Sequence, residues 1–238
     1  GLLFDLNNKT NTYNLSGGLK SSSINDVENK NGYNASLYFA ETNGKFRYSF
    51  GSEYMSKDFE INDLGINFRT NYYSFTGNTS YRILNPNKTF NTFRVNLNSY
   101  FEFYTPTNQI QSSVFSANLN STDKKNHYYG AGINVNPFKN YDYYEPRVAN
   151  RYFVNPTNMG GFFYFSSNYN YKFAIDVEPF LNHVINENRY EAGVNISPRY
   201  RFSDKFSLVY SFNYFKLKND IGWIDFENSN IIFARRDR

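Results

Sequence analysis

The gaps between the alternating apolar runs of this chain are short and long by turns. Short gaps fall at residues 7–11, 42–45, 84–89, 121–126, 168–172 and 203–205. Long ones fall near 23–31, 56–64, 104–109, 138–158, 182–188 and 218–230. Tight turns at one end and long loops at the other are how an outer-membrane β-barrel is wired, with short turns in the periplasm and long loops outside. On this pattern the turns near Asn43, Asn87, Lys124, Tyr171 and Asp204 belong to the periplasmic side, and the loops near Asp58, Tyr144 and Trp223 to the outside. A soluble sandwich has no reason to keep the alternation up over so many hairpins.

The runs themselves have a period of two, the mark of a half-buried strand. The clearest sets Phe93, Val95, Leu97, Ser99, Phe101 and Phe103 against Arg94, Asn96, Asn98, Tyr100 and Glu102. It is longer than the soluble norm of about five or six residues. Similar runs cover 33–39, 46–50, 129–136, 173–178, 190–202 and 206–214. After Leu64 the parity changes: Ile66, Phe68 and Tyr72 are apolar at even positions, Tyr73, Phe75, Tyr81 and Ile83 at odd ones. A β-bulge near Tyr72 or Tyr73 would reconcile them, as would a first half standing above the membrane. Pro198, inside a regular run, reads as a local bulge because proline cannot donate to the ladder. Asn43-Gly44 is the strongest hairpin signal.

Composition fits the same picture. Aromatic residues make up 21 %, with Phe 25 and Tyr 23, yet the mean hydropathy is -0.67. Both hold if aromatics line one face of each strand and Asn, Ser and Arg the other, as in a membrane barrel. No stretch approaches the roughly 20 apolar residues of a spanning helix, but a barrel strand crosses in about 9 to 11. With no Cys, disulfides and thiolate metal sites are excluded. The net charge of +4 comes without the compact basic run of a nucleic-acid binder. Lys sits in the short turns and Arg is expected to point into a lumen. The expected surroundings are the bilayer and lipopolysaccharide of a bacterial outer membrane.

We count about twelve strands plus a partial one at the N-terminus, in a class that starts at 8 and runs in even numbers in bacteria. Leu2 to Leu6 reads as the end of a strand. Gly1 to Leu6 has neither the basic start nor the apolar core of a signal peptide. Ile231 to Arg238 begins a strand and ends on Arg235, Arg236, Asp237 and Arg238 rather than on an aromatic. The expectation is an all-β, antiparallel, up-and-down transmembrane barrel over residues 1–238, most of a larger barrel and incomplete at both ends.

Several segments carry a resemblance. They are Phe59-Glu60-Ile61-Asn62-Asp63-Leu64-Gly65-Ile66, Tyr144-Glu145-Pro146-Arg147, Asn150-Arg151-Tyr152-Phe153, Phe163-Tyr164-Phe165-Ser166-Ser167-Asn168-Tyr169 and Lys172-Phe173-Ala174. In this order, over roughly residues 46–238, the chain resembles a family of outer-membrane barrels from Bacteroidota-type bacteria, largely a domain of unknown function. Members often carry an N-terminal carbohydrate-binding-like β-sandwich. The resemblance implies a barrel fold and an outer-membrane location, and it brings no catalytic residues.

Site candidates are few. His127, beside a short turn, and His183, before a long loop, lack the partners that catalysis or metal binding needs and read as solvated polar residues. No nucleophile elbow or phosphate loop is present. Asp58, Glu60 and Asp63, and Asp142 and Glu145, gather in loops without calcium-loop spacing. Asn62 and Asp63 are expected to shape the turn before Gly65. The loop 138–158 carries Tyr141, Tyr143, Tyr144, Arg147, Arg151 and Tyr152. It either stacks on a ligand or packs as a lid, and Trp223, in another long loop, could join either arrangement. Arg47, Arg82, Arg94, Glu102, Asp176, Glu178, Arg199 and Arg201 are the candidate lumen residues, lining a channel or locking together as a plug. The leading expectation is a barrel that passes or captures a solute, and the sandwich domain usual in the family it resembles implies a glycan. The rival is a membrane-held scaffold for a partner protein. An enzyme ranks last for want of a site, and no cofactor is expected.

Overall fold

In a computed structural model the chain is described over residues 1–25, 29–62, 69–227 and 230–238. It is all-β, with no helix among the described residues. The strands are β1 (Leu2–Asn7), β2 (Tyr13–Ile24), β3 (Lys30–Glu41), β4 (Phe46–Met55), β5 (Tyr72–Ile83), β6 (Phe90–Tyr104), β7 (Gln109–Asp123) and β8 (Tyr128–Asn136). They continue with β9 (Asn140–Asp142), β10 (Phe153–Asn155), β11 (Asn158–Ser166), β12 (Phe173–Val184), β13 (Arg189–Ser203) and β14 (Phe206–Val209). The last are β15 (Phe212–Lys218), β16 (Asp220–Glu227) and β17 (Asn230–Arg236).

Thirteen strands form one sheet in the order β1-β2-β3-β4-β5-β6-β7-β8-β11-β12-β13-β14, with β15 also on β13. The small pairs β9-β10 and β16-β17 are sheets of their own. In the main sheet β1 and β14 stand at the two ends of the order, and no pairing among the described residues closes it into a barrel. The chain divides into two compact units. One comprises Gly1–Ser80, Asn98–Phe115 and Phe138–Asn155, the other Tyr81–Leu97, Ser116–Pro137 and Pro156–Arg238.

Burial is inverted relative to a water-soluble core. Among the described residues few apolar side chains are buried, Met55, Phe59, Pro146 and Ala174, while Asn34, Ser74, Ser80, Asn96, Glu102, Gln111, Ser113, Ser121 and Asn140 are buried polar ones. On β6, Leu97 is 54 % exposed and its neighbour Asn96 only 6 %. The period of two therefore sorts residues as the sequence indicates, with apolar side chains outward.

The connections differ from expectation. Three gaps expected to be long close within 25–29, 105–108 and 185–188, because β2, β3, β6, β7, β12 and β13 run further than their apolar alternation. Asn108 and Asn186 take left-handed backbone in these turns, as Asn11 and Asn126 do in the short ones. Asparagine tolerates that conformation better than other side-chain-bearing residues. The connections 56–71 and 137–157 remain long, and the second contains the β9-β10 hairpin. The expected loop 218–230 is instead the β16-β17 hairpin, with Trp223 opposite Phe233. Leu217 and Arg238 exchange both backbone hydrogen bonds, at 2.8 and 3.0 Å, so the chain just past β17 also meets β15. Asn219, at φ 52, is the extra residue that joins β15 to β16.

β5 starts at Tyr72, and Asn71 before it has left-handed backbone, φ 64, so the expected change of parity falls at the entry to the strand. Ile66, Phe68 and the 63–65 turn lie outside the described residues.

Pro198 is not a bulge. Its register is unbroken against β12, where it pairs Ile175, and Arg199↔Val209 and Ile196↔Phe212 are in phase on the other side. The irregularity of β13 lies between Arg201 and Ser203. Arg201 N donates to Lys172 O at 2.8 Å, so odd residues here bond to β12 and even ones face away. Tyr210 N donates to Pro198 O at 3.0 Å, but proline has no N–H to return to Tyr210 O. That one missing bond separates β14 from β15. Pro179 does the same toward β11, where pairing stops after Phe162↔Phe180 and resumes in phase at Phe165↔Val177. Pro198→Ala restores a donor at an unbroken register. It is expected to stabilise by about 0.5–1.5 kcal/mol, read as a higher urea midpoint at constant slope. A lower midpoint would show that the ring rather than the missing bond matters.

Candidate functional site

The polar face is where chemistry gathers, and in the first unit it centres on two carboxylates. Asn34 Nδ2 donates to Glu53 Oε1 at 2.8 Å, and the Tyr72 hydroxyl to Glu53 Oε2 at 3.3 Å. The Tyr100 hydroxyl donates to Glu102 Oε2 at 2.6 Å, and Arg69 Nη1 lies 3.6 Å from Glu102 Oε1. Nearby, Asn78 donates to Asn98 at 2.6 Å and Ser113 to Asn140 at 2.9 Å.

The tyrosine-rich loop packs onto its own unit. Tyr143 stacks on Tyr104 with centroids 4.0 Å apart, and Tyr152 lies 5.1 Å from Tyr141 and 5.4 Å from Tyr143. The Tyr144 hydroxyl donates to Thr70 O at 2.8 Å, and the Arg69 guanidinium sits 5.4 Å over its ring. Burial first, and the Glu102 carboxylate next, push the Tyr144 hydroxyl up to about 12. Arg147 is exposed with left-handed backbone, φ 59, and Arg151 N closes a turn on Val148 O at 3.2 Å. The structure thus brings Tyr141, Tyr143 and Tyr152 together and seats Tyr144 apart, on Thr70 and Arg69, while Trp223 sits on the β16-β17 hairpin of the second unit.

Among the described acidic loop residues, Asp142 shapes its own turn. Asp142 Oδ1 accepts from Tyr144 N and Glu145 N at 2.8 and 3.0 Å. Glu60 N donates to Ser22 Oγ at 3.0 Å, and Glu60 accepts from the Asn62 amide. No group of three or more His, Asp or Glu that could hold a metal lies among the described residues.

In the second unit the polar face is a run of amides. Arg94 Nε donates to Asn96 Oδ1 at 2.7 Å, and Asn96 donates to Asn118 Oδ1 at 2.6 Å. Asn120 also donates to Asn118 Oδ1, at 3.4 Å, and accepts from the Tyr128 hydroxyl at 2.6 Å. Asn136 donates to Asn158 at 2.5 Å. The other charged candidates are spread out. Arg47 donates to Gly44 O at 3.2 Å in its turn, and Arg82 continues the polar parity of β5. Asp176 accepts from the Tyr169 hydroxyl at 2.5 Å, with Arg199 4.2 Å over the same ring. Arg201 donates to Asn170 O at 2.6 Å, and Glu178 pairs with Asn195 on the polar face. His127 is half-buried, with Nδ1 accepting from Asn168 N at 3.0 Å, so it braces a turn rather than being merely solvated. His183 is exposed and still inside β12, opposite Tyr190.

One feature went unread in the sequence. Cross-strand partners share a face, and Gly132↔Phe162, Phe162↔Phe180, Phe180↔Gly193 and Gly193↔Phe215 form one row over β8, β11, β12, β13 and β15. It lies on the polar face, since Phe180 shares parity with Asp176, Glu178 and Asn182. A Cβ on Gly132 would lie 2.5 Å from the Phe162 ring, and one on Gly193 2.6 Å from that of Phe180. The rings therefore lie over bare backbone. The available signal was phenylalanine at polar parity, opposite glycine.

The whole chain, residues 1–238, matches the family described as a domain of unknown function, DUF5916. The chain belongs to the DUF5916 family. No curated protein and no solved structure matches it. For this DUF5916 chain, then, the polar face and its loop are the guides to function.

Proposed function

We propose that this DUF5916 chain forms the wall of an outer-membrane β-barrel that passes or captures a polar solute. The observation that carries the reading is the inversion of burial, with Asn96, Glu102 and Gln111 inside and Leu37, Phe50, Leu97, Ile133 and Leu181 outside. In water an outward apolar face this extensive marks an interaction surface, and in a bilayer it is the lipid contact. Strand length agrees: β6, β7 and β13 each run 15 residues, enough to cross with some to spare. A barrel further requires that the edges β1 and β14 be paired, since lipid satisfies no backbone group. The tight turns with Lys124 and Lys172 face the periplasm in this reading, and the loop with Tyr144 faces outside. Amide-rich lining suits an uncharged polar solute such as a glycan.

A second reading, a scaffold for a partner protein, draws on the β16-β17 hairpin, which exposes Ile224 and Phe226. The test is flux. The full chain in lipid vesicles should speed swelling in small uncharged sugars, and on whole cells an impermeant thiol reagent should label Tyr144→Cys but not Lys124→Cys. Inserted protein with swelling no faster than bare vesicles would sink the solute reading and leave the scaffold.

A further inference from the structure

We infer that the phenylalanine row of the second unit is a stacking track for a neutral sugar chain. The inference deepens the solute reading above and rests on it. Charged and amide side chains suffice to keep a wet face wet, so three phenylalanines at polar parity need a reason. They are not buried there: Phe162 is 42 % and Phe215 51 % exposed, and Phe180 is half-buried. Nor do they fill a gap between large side chains, because Gly132 and Gly193 in the same row let the rings lie down on the sheet. A ring held in this way offers its open side to whatever passes.

The flanking rows supply hydrogen-bonding groups at the same spacing. On one side are Asn134, Gly160, Asn182 and Glu191, in register across β8, β11, β12 and β13. Asn182 Nδ2 donates to Glu191 Oε2 at 3.3 Å. On the other side, Tyr164 pairs with Gly130, and Glu178 with Asn195, which pairs with Asn213. Adjacent lanes are about 4.8 Å apart. Phe162 and Phe180 occupy neighbouring lanes, and Phe215 stands two lanes further on. An apolar strip edged on both sides by amides and carboxylates matches a pyranose chain. The C–H face of each sugar meets a ring, and the equatorial hydroxyls reach sideways to donors and acceptors. A purely apolar solute leaves the flanking amides unanswered, and an anion meets Glu178 and Glu191.

The experiment is calorimetric titration of the full chain, folded in vesicles, with neutral hexasaccharides of glucose, mannose and xylose. At least one is expected to bind. Phe180→Ala should weaken it roughly tenfold or more, about 1.4 kcal/mol or above. Phe180→Tyr should keep most of the affinity, and Val194→Ala, on the opposite face, should change it little. Folding of each variant is read from its urea transition. Folded wild-type protein that binds none of the three overturns the track while leaving the barrel standing. Equal affinity in folded Phe180→Ala also overturns it. A chain that stays outside vesicles yet binds sugar through Phe180 overturns the membrane reading alone.

Discussion

Leu97→Arg is expected to destabilise the chain in bilayers by roughly 2–4 kcal/mol, the cost of a basic residue at the midplane of a lipid-facing strand. Leu97 is near the middle of β6 and 54 % exposed. In water, placing Arg at such a position is nearly neutral, within about 0.5 kcal/mol. The size of the loss therefore reports the solvent that the outward face meets. Asn98→Arg, one residue on and facing the other way, forfeits the 2.6 Å bond from Asn78 and should lose only about 1 kcal/mol. Urea unfolding from vesicles measures both. Equal losses would remove the sidedness on which the proposed function stands.

Glu102→Ala is the second large effect. Glu102 is 3 % exposed and accepts from Tyr100, with Arg69 beside it. Removing the carboxylate leaves the Tyr100 hydroxyl without that acceptor and exposes a void, for about 1–3 kcal/mol. The Arg69 contact adds little, because Arg69 is 55 % exposed and water screens it. Glu102→Gln keeps an acceptor oxygen and should lose less than Glu102→Ala, and Lys9→Ala, at an exposed turn, should be neutral. A urea midpoint for Glu102→Ala equal to wild type would mean that the carboxylate cluster is not structural.

The middle of each strand was legible and its ends were not. From Phe93 to Phe103 one face is apolar and the other polar, so the period shows. In β7, Gln109 to Asp123, serines stand on both parities and the alternation fades. Gaps measured from the fading points come out too long, which is how 105–108 and 185–188 were mistaken for loops. Pro198 misled for a related reason. A missing N–H interrupts hydrogen bonds to one neighbour, but it does not add a residue, and only an added residue makes a bulge. The tyrosines of the 138–158 loop could be singled out as a group, whereas their seats on Thr70, Tyr104 and Arg69 depend on contacts distant in the chain. The phenylalanine row was hidden because its logic is transverse: each strand contributes one residue, and the pattern exists only after pairing.

The amide run of the second unit, from Asn96 through Asn118 and Asn120 and again at Asn136 and Asn158, has a bearing on operating conditions. Amides neither gain nor lose protons in the range where carboxylates, imidazoles and lysines do, and mobile ions do not weaken a bond between uncharged partners. That stretch of surface offers the same donors and acceptors in acid and in alkali, in brackish surroundings and in fresh. A surface built in this way keeps its character whatever the acidity and salt around it.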